Sequence, residues 1–354
     1  MGQGSPSLGV VTQKIVNKSL TAFSYPTSSL PATRYQPYHG IGGVPPDYPL
    51  VVTDLHTFLA EPIPPREPIL APIILSQSLS MIHAWRGVGK THVALGIAYA
   101  VASGGDFLRW NAPVPRKVLY LDGEMPSPAL QMRLANIVKT SATEAPKGYF
   151  RLVTPDQQHG AMPDLATHDG QDVVDAQVES DTSLLIVDNL SALVRRGGRE
   201  NDAESWLSVA EWALRHRANG RSVLFIHHSG KNGAQRGTSK KEDLLDIVLT
   251  LKQPADYNAV DGAVFEVHFE KARGISGRDT EPFEARLSTD ANGAQSWSIK
   301  TVENTTYSRV VELHELGLKP GDIAQELDIH KSSVSRSLKR AEAEGRIGKR
   351  NHDK

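Results

Sequence analysis

Residues Ala84–Thr91 read Ala-Trp-Arg-Gly-Val-Gly-Lys-Thr, between the apolar run Leu79-Ser80-Met81-Ile82 and the helix-like run His92–Ala98. A strand giving way to a glycine-bearing turn, with Lys-Thr opening a helix, is a phosphate-cradling arrangement. Successive backbone N–H groups and the helix N-terminus surround phosphate oxygens, so Gly87 and Gly89 must let the backbone bend and approach closely. Lys90 then reaches the β- and γ-phosphates, and the Thr91 hydroxyl can ligate Mg²⁺. The expected nucleotide contacts are Ala84, Trp85, Arg86, Gly87, Val88, Gly89, Lys90 and Thr91. The usual pattern opens on Gly where this chain has Ala84. Because Ala tolerates positive φ poorly, the first turn is expected to differ slightly from the common one.

On either side of this loop the chain changes character. Residues 1–48 are rich in Gly, Ser, Pro, Thr and Tyr without periodicity and read as an irregular tail. Residues 49–76 carry Pro62, Pro64, Pro65, Pro68 and Pro72, so they cannot form one helix. They are expected to wrap the next domain or to lead to a neighbouring subunit. From 77 to 300 short apolar runs alternate with helical periods. Strands are expected at Leu79–His83, Lys117–Leu121, Phe150–Val153, Ser183–Val187, Ser222–Ile226, Leu245–Leu251 and Ala263–Glu270. Helices are expected at Lys90–Ser103, Ser127–Thr140, Gln171–Glu179 and Ala203–Ala218. That alternation implies an α/β fold with a mostly parallel sheet covered on both faces. Later strands near 263–270, 282–287 and 295–300 lack intervening helices and suggest an antiparallel extension. Residues 306–317, 319–327 and 331–344 read as three short helices, which divides the chain into a tail (1–48), an ATPase-like domain (49–303) and a small all-α domain (304–354).

Length and composition narrow the function classes. The 354 residues suit roughly two domains plus tails. Net charge is −1, so any nucleic-acid surface must be local. The absence of cysteine excludes disulfides, thiolate zinc sites and a cysteine nucleophile, and a cytoplasmic setting is expected. No apolar run approaches a membrane span, and no signal-peptide pattern opens the chain.

Three further stretches bear on the nucleotide. Leu184–Asn189 is an apolar strand ending in Asp188, placed to hold the Mg²⁺ shell with Thr91 from a strand adjoining the phosphate loop. Val118–Pro126 delivers Asp122 and Glu124 beyond another strand. Either could orient the attacking water, or serve instead as a helix N-terminal charge before Pro126 and Ser127. Ser222–Ile226 runs into His227-His228-Ser229. Adjacent side chains on a strand face opposite ways, so a metal is not expected and only one of the two His can sense the γ-phosphate.

With these residues in view, residues 50–300 resemble the RecA-like hexameric ATPases, in the branch of DnaB-type replicative helicases, KaiC-like proteins and plasmid RepA-type helicases. The resemblance implies ATP and Mg²⁺ as ligands and a homo-oligomer, a hexamer in this family. It makes Glu124, in Gly123-Glu124-Met125-Pro126, the catalytic base and His228 the γ-phosphate sensor, with His227 the lesser choice. Phe269-Glu270-Lys271-Ala272-Arg273 matches the family's Lys-x-Arg pair, so Lys271 and Arg273 would reach a neighbouring subunit's ATP. An exposed basic pair on an edge strand is the plainer alternative.

DNA enters the expectation at two places. The loops carrying Arg195, Arg196 and Arg199, and Lys231 and Arg236, correspond to loops that line the central channel of such rings and would track a single strand. They could equally be solvated surface loops. Leu316–Leu327, a turn at Asp328-Ile329-His330 and Lys331–Arg340 read as a helix-turn-helix of winged-helix or sigma-like texture. Its second helix would present Lys331, Ser332, Ser333, Ser335, Arg336, Lys339 and Arg340 to duplex DNA, or serve as a protein-docking module. Residues 331–354 hold eight basic and three acidic residues, a net of +5. Gly345–Arg350 could begin a wing strand. The whole reads as a Mg-ATP-hydrolysing DNA motor of the RepA/DnaB helicase type, or alternatively a DNA-binding ATPase regulator or recombination-type protein that unwinds nothing.

Overall fold

The computed structural model describes residues 51–195, 203–229, 243–254, 257–258, 262–291 and 293–347. Its centre is a nine-stranded sheet in the order β13-β12-β11-β10-β3-β9-β8-β6-β7. These strands are β3 (Leu79–Ala84), β6 (Lys117–Asp122), β7 (Phe150–Val153), β8 (Thr182–Asp188), β9 (Ser222–His228), β10 (Ile247–Lys252), β11 (Val264–Ala272), β12 (Phe283–Thr289) and β13 (Gln295–Thr301). Six of them, β10, β3, β9, β8, β6 and β7, run parallel. β11, β12 and β13 add on antiparallel. All six residues of β3 are buried, as expected of a strand covered on both faces. β9 lies between β3 and β8. The strand ending in Asp188 therefore does not adjoin the phosphate-loop strand: β9 is inserted there, and it brings His228 with it.

Helices α2 (Lys90–Ser103) and α3 (Ser127–Thr140) cover one face, where Val93, Ile97 and Leu130 pack with Ile82, Tyr120, Ile186 and Ile226. Helices α4 (His168–Asp175), α5 (Leu190–Leu193) and α6 (Ala203–Ala218) cover the other, where Trp206, Val209 and Trp212 pack with Met81, Leu185 and Phe225. Helix α4 starts and ends earlier than the expected Gln171–Glu179. Its start is set by Thr167, whose hydroxyl accepts from the Gly170 N–H as an N-cap.

Ahead of the sheet, α1 (Leu55–Ala60) is exposed along its length, whereas the hairpin β1 (Pro68–Leu70) and β2 (Ile74–Leu75) is buried against α2 through Ile69, Leu70 and Ile74. A second small hairpin, β4 (Asp106–Phe107) and β5 (Trp110–Asn111), follows α2. The expected wrapping segment is thus of two kinds: residues 68–76 join the core and 51–66 stay outside it. At the other end α7 (Val302–Glu315) continues directly from β13. With α8 (Pro320–Glu326) and α9 (Lys331–Ala343) it encloses a separate small core of Val310, Ile323, Leu327, Val334 and Leu338. Arg309 of α7 pairs at 2.6 Å with Glu284 of β12, whose side chain is 5% exposed, so this helix is fastened to the sheet. Among the described residues no helix is long and apolar enough to cross a membrane.

Candidate nucleotide site

At the carboxyl end of β3, Gly87 (φ +82°) and Gly89 (φ +120°) both occupy the region that disfavours side chains. A Cβ on Gly89 would lie 3.2 Å from the Phe265 ring. Ala84 is not where the strain falls. It is the last residue of β3, buried and extended, and pairs with His228 of β9 and Leu251 of β10. The turn's positive φ angles lie later, on the two glycines, so Ala84 itself needs no conformation that its side chain disfavours. Trp85 is 41% exposed, Arg86 and Gly87 are exposed, and Val88 is buried.

The Lys90 ammonium donates to the carbonyls of Ala84 and Trp85, both at 2.9 Å, and is almost fully buried. Burial lowers its pKa to about 8, opposed by the charges of Asp188 and Glu124. Asp188 closes β8 and is nearly inaccessible. It accepts from Tyr120 Oη at 2.5 Å and from Thr91, yet burial still lifts its pKa to about 6. A buried carboxylate and a hydroxyl beside a phosphate loop are hard oxygen donors suited to Mg²⁺, which keeps several waters and takes its other ligands from phosphates. The residues present fit the ion.

Across the site the β6–α3 turn presents two carboxylates with different duties. Asp122 is buried, accepts from the Met125 N–H and from Thr154 Oγ1 at 3.2 Å, and has its pKa raised chiefly by burial. It is spent on holding the turn. Glu124 is half exposed at the rim, where Oε2 accepts from Asn189 Nδ2 at 2.6 Å and Oε1 lies 3.5 Å from His228 Nε2. Asn189 Nδ2 is also 3.1 Å from His228 Nε2. Its two amide hydrogens thus serve the carboxylate and, with His228 in the neutral form protonated on Nδ1, the imidazole. Burial, then the nearby Lys90, lowers the His228 pKa. Helix α5 fixes Asn189, whose Oδ1 caps it at the Ala192 N–H. Neither Asn189 nor Tyr120 stands out in the sequence: Asn189 reads as an ordinary helix cap and Tyr120 as one member of an apolar strand.

The other expected residues lie elsewhere. Lys271 Nζ and Arg273 Nη2 donate to the Asp243 carbonyl at 3.3 and 3.0 Å, so their contacts described here are not with the Lys90–Asp188–Glu124 cluster. Arg195 is tied to its own chain through Asp164 and the Met162 carbonyl. Arg196, Arg199, Lys231 and Arg236 lie outside the described residues. On α9, Lys331, Ser332, Ser335, Arg336 and Lys339 are exposed and Ser333 partly so, opposite the buried Val334, Leu338 and Ala341. Arg340 is engaged within the chain, 2.8 Å from Glu344 and stacked on the Tyr307 ring. The start of a wing falls in a turn at 344–347, and the residues after 347 lie outside the described residues.

A family model described as an AAA domain matches residues 46–234, just over half of the chain. No curated protein is significantly similar. Solved structures with similarity include the RadB recombinase (17% identity, 62% of this chain and 90% of that one, TM-score 0.41). The ATPase domain of G40P follows at 13% identity, 60% and 81% coverage and a TM-score of 0.41. A KaiC-like protein from Pyrococcus horikoshii OT3 has 13% identity, 66% and 93% coverage and a TM-score of 0.42. The domain match covers the glycine-bearing loop, the Glu124 turn, the Asp188 strand and His228, all set on one mostly parallel sheet. The chain belongs to the AAA domain family and is an ATPase whose glycine-bearing phosphate loop is set on a mostly parallel sheet.

Proposed function

We propose that this protein is a Mg²⁺-dependent ATP hydrolase that acts on DNA as a ring of identical subunits, of the RepA/DnaB replicative-helicase type. The observation that carries the hydrolytic part is the joined arrangement of Glu124, Asn189 and His228 beside Lys90 and the Thr91–Asp188 pair. Lys90 and the loop N–H groups bind phosphate oxygens. Thr91 and Asp188 would hold the divalent cation. A cation bound there supplies charge neutralisation on the phosphates. Glu124 orients water and takes its proton, and Asn189 fixes the angle of that carboxylate. His228 reports the terminal phosphate in this reading, supported by its contact with Asn189 and its nearness to Glu124. Lys271 and Arg273 act on a neighbouring subunit's nucleotide.

Residues 49–303 form the ATPase unit in this reading, and 304–354 a helix-turn-helix that contacts duplex DNA through the exposed face of α9. The exposed apolar side chains Val51, Val52, Leu55, Phe58, Leu59 and Ile63 support assembly, since a patch of this kind on one short segment suits burial against another copy. A second reading, a DNA-binding ATPase regulator that does not unwind, draws support from Arg309–Glu284: a duplex-binding module fastened to the sheet can pass site occupancy directly to the ATPase. A forked-duplex unwinding assay separates them. ATP-dependent strand separation by the wild type and none by Lys90→Ala supports the helicase. ATP turnover and duplex binding without strand separation support the regulator.

A further inference from the structure

One buried polar group of the central sheet has no part in the chemistry just described. His83, the residue before Ala84 in β3, is fully buried and has both ring nitrogens engaged. Nδ1 lies 2.7 Å from Ser229 Oγ and Nε2 lies 2.8 Å from Glu270 Oε2. These partners come from opposite sides of β3. Ser229 directly follows His228 at the end of β9, and its N–H donates to the Ala84 carbonyl at 3.0 Å. Glu270 lies on β11, beyond β10.

The reach across β10 has a cause in the register. Val248 of β10 pairs with Lys271 while Leu249 pairs with Phe269, which leaves Glu270 as the extra residue of a β-bulge. A bulge re-aims a side chain and bends the strand that follows, and here the strand that follows carries Lys271, with Arg273 directly after its last residue Ala272. His83 therefore ties the residue after His228 to the residue before Lys271. A buried imidazole is costly unless both nitrogens are satisfied, and satisfying them fixes the two neighbours relative to each other.

Resting on the ATPase reading above, we propose that His83 is a positioning residue for hydrolysis: through Ser229 it sets His228 against Glu124 and Asn189, and through the Glu270 bulge it sets the strand end that bears Lys271 and Arg273. Neither His83, Ser229 nor Glu270 touches the reacting atoms.

The test uses the full chain and two changes of similar volume that remove the bonding atoms, Ser229→Ala and Glu270→Met, singly and together, with Lys90→Ala as reference. Steady-state ATPase gives kcat and KM, a fluorescent ATP analogue gives nucleotide affinity, and thermal unfolding reports folding. Each single change is expected to lower kcat roughly ten- to a hundredfold, the scale of a small misplacement of catalytic groups, with nucleotide affinity and melting temperature nearly unchanged. The double variant is expected to lose less than the product of the single losses, because both act through one imidazole. Lys90-dependent turnover that ignores both changes overturns this proposal alone, as does a loss of kcat that merely follows a loss of melting temperature or of nucleotide affinity. No Lys90-dependent turnover in the wild type removes the ATPase reading and this proposal with it.

Discussion

Replacing Asp188 by Asn should make the metal-free protein more stable while abolishing its activity. Burial holds the Asp188 carboxyl at about 6 against an ordinary value of 3.8, even with Tyr120 and Thr91 donating to it. An acid whose folded pKa is raised binds its proton more readily when folded, so protonation favours the fold. Below about pH 4 Asp188 is protonated in both states and costs nothing. The cost grows as pH rises toward 6 and is fully present above it. Roughly two pK units correspond to about 3 kcal/mol. An amide that leaves one N–H unmatched returns about 1 kcal/mol or more of that, so a net gain of about 1–2 kcal/mol is expected above pH 6. Urea denaturation of wild type and Asp188→Asn between pH 4 and 8, with chelator and without nucleotide, measures it. The gap should open between pH 4 and 6 and then stay constant. Mg²⁺ with ATP should reverse the order, since the cation stabilises only the wild-type site by mass action. A variant less stable than wild type at pH 7.5 without metal, or a gap indifferent to pH, would refute the reasoning.

Three further outcomes follow from the same geometry. Glu124→Gln should lower kcat by roughly a hundred- to ten-thousandfold, the range for removing a general base, and leave nucleotide affinity within a few-fold. A parallel loss of binding in a nucleotide titration would contradict the role. Burial brings the Lys90 ammonium to about 8, so nucleotide affinity should weaken as pH rises past that value and the charge is lost. A titration series from pH 6.5 to 9.5 in which affinity stays flat counts against it. Arg309→Met leaves the Glu284 carboxylate buried and unpaired and should destabilise the chain by about 3–5 kcal/mol. The double variant with Glu284→Gln should regain most of that in equilibrium unfolding.

The sequence carried the frame of the fold because its signals there are local. The bounds of α2, α3, α6 and β7 coincide with the apolar periods and turns that announce them. Helix α4 shifted because one hydroxyl, Thr167, captured the first turn. The antiparallel extension was legible from strands that follow one another without helices. The order of the sheet was not, since the insertion of β9 between β3 and β8 depends on pairing between segments far apart in the chain. Lys90, Thr91 and Asp188 stood out because each closes or opens an element at a recognisable place, whereas Glu124 was preferred to Asp122, and His228 to His227, on the family resemblance alone. Asn189, Tyr120 and the His83–Ser229–Glu270 bridge were not. Their roles arise from register, from a one-residue bulge and from the contact of strands separated by more than a hundred residues, none of which a linear pattern records.

The central claim, a P-loop site completed by a second subunit, is tested most directly by mixing two defective proteins. Lys90→Ala lacks a working phosphate site but offers an intact Arg273, and Arg273→Ala offers the reverse. Each alone should be close to inactive. Mixed in equal amounts and allowed to exchange, they should recover about a quarter of wild-type turnover, because in a closed ring of identical interfaces about a quarter of the sites draw both intact halves. A mixture as inactive as its parents, beside an active wild type, would contradict the shared site.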